Sequence, residues 1–278
     1  GFGGARAWGH TGHQVIPMVA LQQLNEEQRA AVAHYTTGTN LSALGVLPDV
    51  YARTRDGRWS LPLHFVNLPR DADAYRAKYC PATDPCVVRA AVNFTRLFVA
   101  EGYHGPPCVD GVQRQPCSLS FLTHFESDLH QPLHVAYGFD RGGNTVPATD
   151  ETNASVRNLH EVWDYGIIEH FSGANNAQKL LTILDKWMRM NADKVAAMRW
   201  QNLDTDEQLV AAMSSWANES FYYARTVAYV FAAGDEPRID DPPDPVVITK
   251  WYNDHNTELV IERLVAAGVR LAQVLEYV

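Results

Sequence analysis

Apolar residues recur along most of this chain at steps of three and four, the period of one face of an α-helix, and seldom at alternate positions. Asn25 with Gln28 has the spacing of a capping box and opens a helix running toward Tyr35. Val87 to Glu101 carries its apolar residues at helical steps. Thr205 with Gln208 makes a second capping box, followed at helical intervals by Leu209, Met213, Trp216, Phe221, Ala224 and Ala228. Thr257 to Tyr277 is similar, with Leu259, Leu264, Leu271 and Leu275 on its inner side. Strand-like alternation is rare and short. The pattern predicts an all-α chain, one mostly helical domain with long loops from about Thr37 to Pro85 and from Gly102 to Pro116. Asp240 to Pro245, D-D-P-P-D-P, reads as a rigid surface connection between two late helices rather than a domain linker.

The length of 278 residues allows one large domain or two small ones, and no repeat or low-complexity tract divides it. With 46% hydrophobic and 20% charged residues, neither a disordered chain nor a collagen-like fibre fits. No apolar run is long enough for a membrane-spanning helix. A formal charge of -9 argues against a broad basic face for gripping duplex nucleic acid, because such binding neutralises many phosphates at once. A small charged substrate in a local site stays open.

The four cysteines lie in one Pro-, Gly- and Asp-rich stretch, and of the three possible connectivities short spacing in loops favours Cys80 with Cys86 and Cys108 with Cys117. Asn40, Asn93, Asn153 and Asn218 each begin an N-x-S/T sequon, so they are candidate glycosylation sites. Four sequons beside an even number of cysteines point to the secretory route, with a secreted or cell-surface destination. Ala5-Arg6-Ala7 before Trp8 has the A-x-A form of a signal-peptidase site, so residues 1–7 read as a processing or expression remnant and residues 8–278 as the domain.

Among eleven histidines, two are followed four places on by Asp: His124 with Asp128 and His160 with Asp164. One helical turn puts both members of a pair on one face, where an imidazole and a carboxylate can converge on one ion. Such a donor set suits zinc, and the lack of cysteine there argues against an iron-sulfur cluster. Each pair alone has an ordinary reading, a hydrogen-bonded His on a helix; two pairs together are harder to dismiss. Pro132 should break the first helix and re-aim His134 toward a neighbouring ion. His130, four residues before His134, could compete as a ligand, but it reads first as a supporting or structural residue that hydrogen-bonds a ligand.

These residues fall within a longer pattern: W-G-H-T-G-H at Trp8 to His13, Asp49, L-H-F-V-N at Leu63 to Asn67, the His124 to His134 run, D-R-G-G-N at Asp140 to Asn144, N-L-H-E-V-W-D at Asn158 to Asp164, and A-G-V-R-L-A at Ala267 to Ala272. In that order they resemble the zinc-dependent class I nucleases, single-strand-specific nucleases and 3'-nucleotidases related to zinc-dependent phospholipase C. The resemblance implies a helical fold holding three zinc ions: the first on Asp49, His64, His124 and Asp128, the second on His134, His160 and Asp164, the third on His13, Asp128 and the amino nitrogen and carbonyl of Trp8. It makes Asp49 and Asp128 the candidate catalytic carboxylates. Phe65 would stack on the nucleobase, Asn67 would bond its edge, and Arg53 and Asn144 would complete the substrate contacts.

By the same resemblance, a hydroxide between zinc ions attacks phosphorus while another zinc stabilises the departing 3'-oxygen, yielding 5'-phosphate ends from single-stranded RNA or DNA and free phosphate from 3'-mononucleotides. Three zinc ions, three Asp ligands and a hydroxide leave about +2 locally, so phosphate is attracted without a basic patch. The chain departs from the family in having Leu47-Pro48 before Asp49 where Trp-Ala is common. The family's phosphate-contacting Arg aligns with Ala52, one short of Arg53, and Asn67 stands where Asp is frequent. Seven residues precede Trp8, so the mature enzyme is expected to begin there, with a free amine. The competing readings are a zinc-dependent phospholipase C and a non-catalytic zinc-binding surface protein; Asp164 rather than Glu and the pair Phe65 and Asn67 favour the nuclease.

Overall fold

The computed structural model describes residues 8–37, 39–103, 108, 115–173 and 176–278, so residues 1–7 and most of the loop expected from Gly102 to Pro116 lie outside the described residues. The helices are α1 (Gly9–Gln23), α2 (Glu26–Tyr35), α3 (Leu41–Ala52), α4 (Val87–Glu101), α5 (Ser118–Leu129), α6 (Leu159–Glu161), α7 (Ile167–Ser172), α8 (Ala177–Met190), α9 (Ala192–Ala197), α10 (Asp206–Thr226) and α11 (Lys250–Tyr277). A wide π-type turn, Val162–Gly166, joins α6 to α7 as one continuous rod. Two small parallel pairs complete the structure: β1 (Val66–Leu68) beside β2 (Val135–Tyr137), and β3 (Ala148–Asp150) beside β4 (Val246–Ile248). The all-α expectation holds.

Helix α5 is buried along its whole length, packed among α1, α3, α4, α10 and α11. Its sequence, S-L-S-F-L-T-H-F-E-S-D-L, is half polar, yet burial is tolerated where polar groups find partners. Ser120 donates to the Leu44 carbonyl at 2.7 Å and Ser127 to the Thr123 carbonyl at 2.7 Å. The apolar face seats Phe121, Phe125 and Leu129 in the core. This central helix carries His124 and Asp128 into the middle of the molecule.

Both capping boxes form as expected, at Asn25–Gln28 before α2 and Thr205–Gln208 before α10. Both disulfides pair as neighbours, Cys80 with Cys86 and Cys108 with Cys117. The expected loop from Thr37 to Pro85 is corrected: it contains α3, a 3-10 turn at Arg58–His64 and β1. Gly45 and Pro48 made this stretch look broken, since both lower helix propensity. Tertiary contacts override them. Asn40 caps α3 by accepting from the Ala43 amide at 2.7 Å, and the Leu44 carbonyl, which Pro48 deprives of its helical donor, is the one that Ser120 satisfies. The last helix begins at Lys250 rather than Thr257, because buried Asn253 and Asn256 interrupt its apolar stripe. Asn253 is held there by donating to Asp150, at 3.1 Å to one oxygen. Asp240 to Pro245 does lie between α10 and α11.

Candidate metal centre

Six segments deliver the donors. His13 comes from α1 and Asp49 from the last turn of α3; His64 ends the 3-10 turn; His124 and Asp128 project from α5. Pro132 starts a short 3-10 turn that ends at His134 and feeds β2, so the ring leaves the α5 register as the sequence predicts. His160 and Asp164 sit on α6 and the π-type turn. Such widened turns recur at functional sites.

Donor atoms gather into three sets, His13 with His124 and Asp128, Asp49 with His64 and His124, and His134 with His160 and Asp164, all atoms of a set lying within 4.8 Å of one another. Asp128 joins the first two: its Oδ1 is 3.2 Å from His13 Nε2 and its Oδ2 3.1 Å from His64 Nδ1 and 3.3 Å from His124 Nε2. Asp49 Oδ1 is 3.8 Å from both His64 Nδ1 and His124 Nε2. In the remaining set His134 Nε2 lies 3.1 Å from His160 Nε2 and 3.7 Å from Asp164 Oδ1.

Backbone carbonyls orient three of the rings. His124 Nδ1 meets the Gly45 carbonyl at 2.7 Å, His134 Nδ1 the His64 carbonyl at 2.6 Å and His160 Nδ1 the Gly142 carbonyl at 2.7 Å. A ring that donates through Nδ1 presents the Nε2 lone pair inward. Gln131 donates to Asp164 Oδ1 at 2.7 Å. These supporting groups were not singled out from the sequence, although Gln131 lies in H-Q-P-L-H and Gly142 in D-R-G-G-N. Arg141, Gly142 and Gly143 in that loop have φ of 56°, 59° and 78°, and a Cβ on Gly142 would fall 2.2 Å from the Leu133 carbonyl. Glycine there lets the loop approach His160.

Electrostatics prepare the cluster for cations. Burial alone would raise the Asp128 carboxyl, but His124, His13 and His64 outweigh it and hold it well below the usual carboxylate range. Burial, reinforced by His124, lowers His13 to about 4, and burial also lowers His160. Those rings are therefore neutral at pH 7, the form that ligates. Asp164 is pushed by burial up to about 7. His13 Nδ1, His64 Nε2 and Asp164 Oδ2 are buried with no hydrogen-bond partner, at a cost of about 1–3 kcal/mol for each such group. A cation is the partner this imidazole and carboxylate set fits.

The other expected residues sit around it. Trp8 caps α1 in a left-handed conformation (φ 34°); its carbonyl accepts from the Gly12 amide at 3.1 Å and its indole donates to the Ser127 carbonyl at 2.9 Å, next to Asp128. Phe65 is half-buried directly after His64, and Asn67 is exposed on β1. Arg53 is exposed and 3.4 Å from Asp49 Oδ2. Asn144 is half-buried, its amide donating to the Arg141 carbonyl at 2.9 Å. His130 belongs to none of the three sets, in keeping with its structural reading, and its Nδ1 bonds the Glu126 carbonyl at 2.8 Å instead of a ligand. It faces a separate buried group of Glu126, Arg263 and Trp216.

Residues 8–278, which include all three sets, match the family model described as S1/P1 Nuclease. The chain belongs to the S1/P1 nuclease family. It is 30% identical to Endonuclease 4 of Arabidopsis thaliana over 98% of this chain and 89% of that protein. It is 24% identical to Nuclease S1 of Aspergillus oryzae, covering 98% and 91%, and 23% identical to Nuclease P1 of Penicillium citrinum, covering 95% of each. The family places nuclease activity, and hence a nucleic-acid substrate, on this helical scaffold. Among the described residues no helix is long and apolar enough to cross a membrane.

Proposed function

We propose that the chain is a zinc-dependent phosphoesterase that cleaves single-stranded RNA and DNA to 5'-phosphate products and removes the 3'-phosphate of 3'-mononucleotides. The observation that carries the reading is the sharing of Asp128, whose two oxygens face different donor sets. Imidazole and carboxylate without thiolate is a donor set that zinc favours. Asp49, His64, His124 and Asp128 would hold one ion, His134, His160 and Asp164 a second, and Trp8, His13 and Asp128 a third. When bound, the ions supply Lewis acidity, a water of lowered pKa and stabilisation of charge on the leaving 3'-oxygen.

The chain's own residues do the positioning. Asp128 ties two cation positions into one rigid unit, and carbonyls of Gly45, His64 and Gly142 fix ring orientation. Phe65 offers a ring face to the nucleobase and Asn67 an amide to its edge. Arg53, beside Asp49, reaches toward the phosphate, and Asn144 lies on the loop that supports His160. Two disulfides and exposed sequons at Asn40, Asn93 and Asn218 support passage through an oxidising secretory compartment. At Asn153 the amide already donates to Glu169 at 2.5 Å.

The test pairs elemental analysis with three substrates: 3'-AMP, single-stranded DNA and phosphatidylcholine. Near three zinc per chain with hydrolysis of the first two, both lost on chelation, is the expected result. Activity on phosphatidylcholine alone would move the reading to a phospholipase, and no turnover in a zinc-loaded sample would leave a binding protein.

A further inference from the structure

Strands β1 and β2 both leave the metal centre, β1 shortly after His64 and β2 directly after His134, and they run side by side with Asn67 opposite Ala136 and Leu68 opposite Tyr137. The ladder extends one step further, the Gly138 amide donating to the Leu68 carbonyl at 2.9 Å. A Cβ on Gly138 would lie 3.0 Å from Asn67 Cβ, so the Asn67 side chain rests on the Gly138 backbone. The next residue, Phe139, is 41% exposed although it is large and apolar. The Arg70 guanidinium lies over its ring, 4.0 Å from the centroid.

Arg70 is held in two ways. Phe139 supports one face, and Phe139 itself is backed by Tyr137, with ring centroids 5.7 Å apart. Asp240 pairs with the guanidinium at 2.5 Å. The Arg70 side chain nevertheless stays 59% exposed. Asp240 offsets part of its charge, so the guanidinium offers its plane more than its charge. What remains is a flat surface whose orientation is set in advance. Nucleobases of single strands stack on arginine planes and aromatic rings, and such stacking tolerates any base. Arg70 follows Asn67 by three positions, at most about 11 Å of chain.

We propose that Arg70, seated on Phe139 and braced by Asp240, is a second nucleobase subsite that stacks the base neighbouring the one at Phe65 and Asn67, so that single-stranded polynucleotides are bound better than mononucleotides. The proposal rests on the nuclease reading above.

The test is the ratio of kcat/KM for a short oligodeoxyadenylate to kcat/KM for 3'-AMP, measured with zinc-loaded protein. Arg70→Ala should lower that ratio roughly five- to 150-fold, the effect of losing one base stack. Phe139→Leu, which keeps an apolar side chain but removes the ring beneath the guanidinium, should lower it in the same direction. Arg70→Lys keeps the charge and the pairing with Asp240 but has no plane, so it should behave as Arg70→Ala does. A ratio unchanged from wild type in folded Arg70→Ala and Phe139→Leu, checked by melting temperature, overturns the subsite; so does a wild-type ratio in Arg70→Lys, which would leave charge as the only contribution. A wild-type protein that hydrolyses neither substrate would instead bring down the nuclease reading itself.

Discussion

At Asp128 one buried carboxylate faces His13, His64 and His124 together, and that crowding makes it the residue on which most of the site depends. Asp128→Asn keeps the volume and removes the charge. Metal content should fall toward the single ion held by His134, His160 and Asp164, and 3'-AMP hydrolysis should drop to background; full metal content in that variant would show that the sets are independent. Asp164 has a pH signature. Its folded pKa, about 7, is raised, so in the cation-free protein its protonated form contributes stability that is present below the unfolded value near 3.9 and is lost as pH rises through about 7. A cation needs the ionised carboxylate. Zinc binding at pH 6 should therefore release about one proton from this group, visible as a binding enthalpy that varies with the ionisation enthalpy of the buffer. At the base site, Phe65→Ala should weaken all four 3'-mononucleotides alike by about 1–3 kcal/mol, whereas Asn67→Asp should change their relative rates, since an amide both donates and accepts and a carboxylate only accepts. Identical relative rates after Asn67→Asp would remove the base-site assignment.

Between elements, the decisive contact is α3 against α1 and α5. A Cβ on Gly45 would lie 2.7 Å from the His13 carbonyl and 3.4 Å from Thr123 Cγ2, so only glycine lets α3 come close enough to offer its carbonyl to His124 and to set Asp49 beside His64. Gly45→Ala should cost about 1–3 kcal/mol as an overpacking change, seen as a lower melting temperature, and should weaken the metal set that includes Asp49 more than the set that includes Asp164. The π-type turn at Val162–Gly166 plays a comparable part on the other side, carrying Asp164 within 3.5 Å of His160 in a rod that would otherwise be plain α-helix.

Across the whole molecule a net charge of -9 surrounds donor sets that could hold cations, and two measurable consequences follow. Chelation should lower the melting temperature as well as abolish turnover, because it leaves buried imidazoles and carboxylates unpartnered and removes the stabilisation that ligand binding gives to the folded state. A melting temperature unchanged by chelation would mean that the donor sets do not hold metal in solution. Substrate attraction should be local: KM for a single-stranded oligonucleotide should rise less than about tenfold between 50 and 200 mM salt, against 10³–10⁵ for proteins making many phosphate contacts. Trp8 belongs to this scale too. A backbone amide nitrogen is a far poorer zinc donor than a free amine, so chains beginning at Trp8 should hold more zinc and turn over faster than chains carrying residues 1–7. Equal zinc content and turnover in the two forms would make the free amine dispensable.

The helical class, the two capping boxes, the neighbour pairing of the cysteines and the spacing that puts His124 with Asp128 and His160 with Asp164 were legible in the order of residues alone. These are local properties: periodicity records which face an element buries, and a four-residue step is one turn wherever the helix lies. The sequence misread α3, where Gly45 and Pro48 lower propensity, and the first turns of α11, where Asn253 and Asn256 look exposed and are buried. It set His130 apart from the ligands, and the structure directs that ring to Glu126. Which carbonyl orients which ring came from packing alone. The Leu44 carbonyl is available to Ser120 because Pro48 withholds a donor, and the Gly45 carbonyl reaches His124 from 79 residues away because no side chain intervenes. A backbone acceptor carries no mark in the sequence of what it will meet, since every residue has one, and its role exists only once two elements have packed.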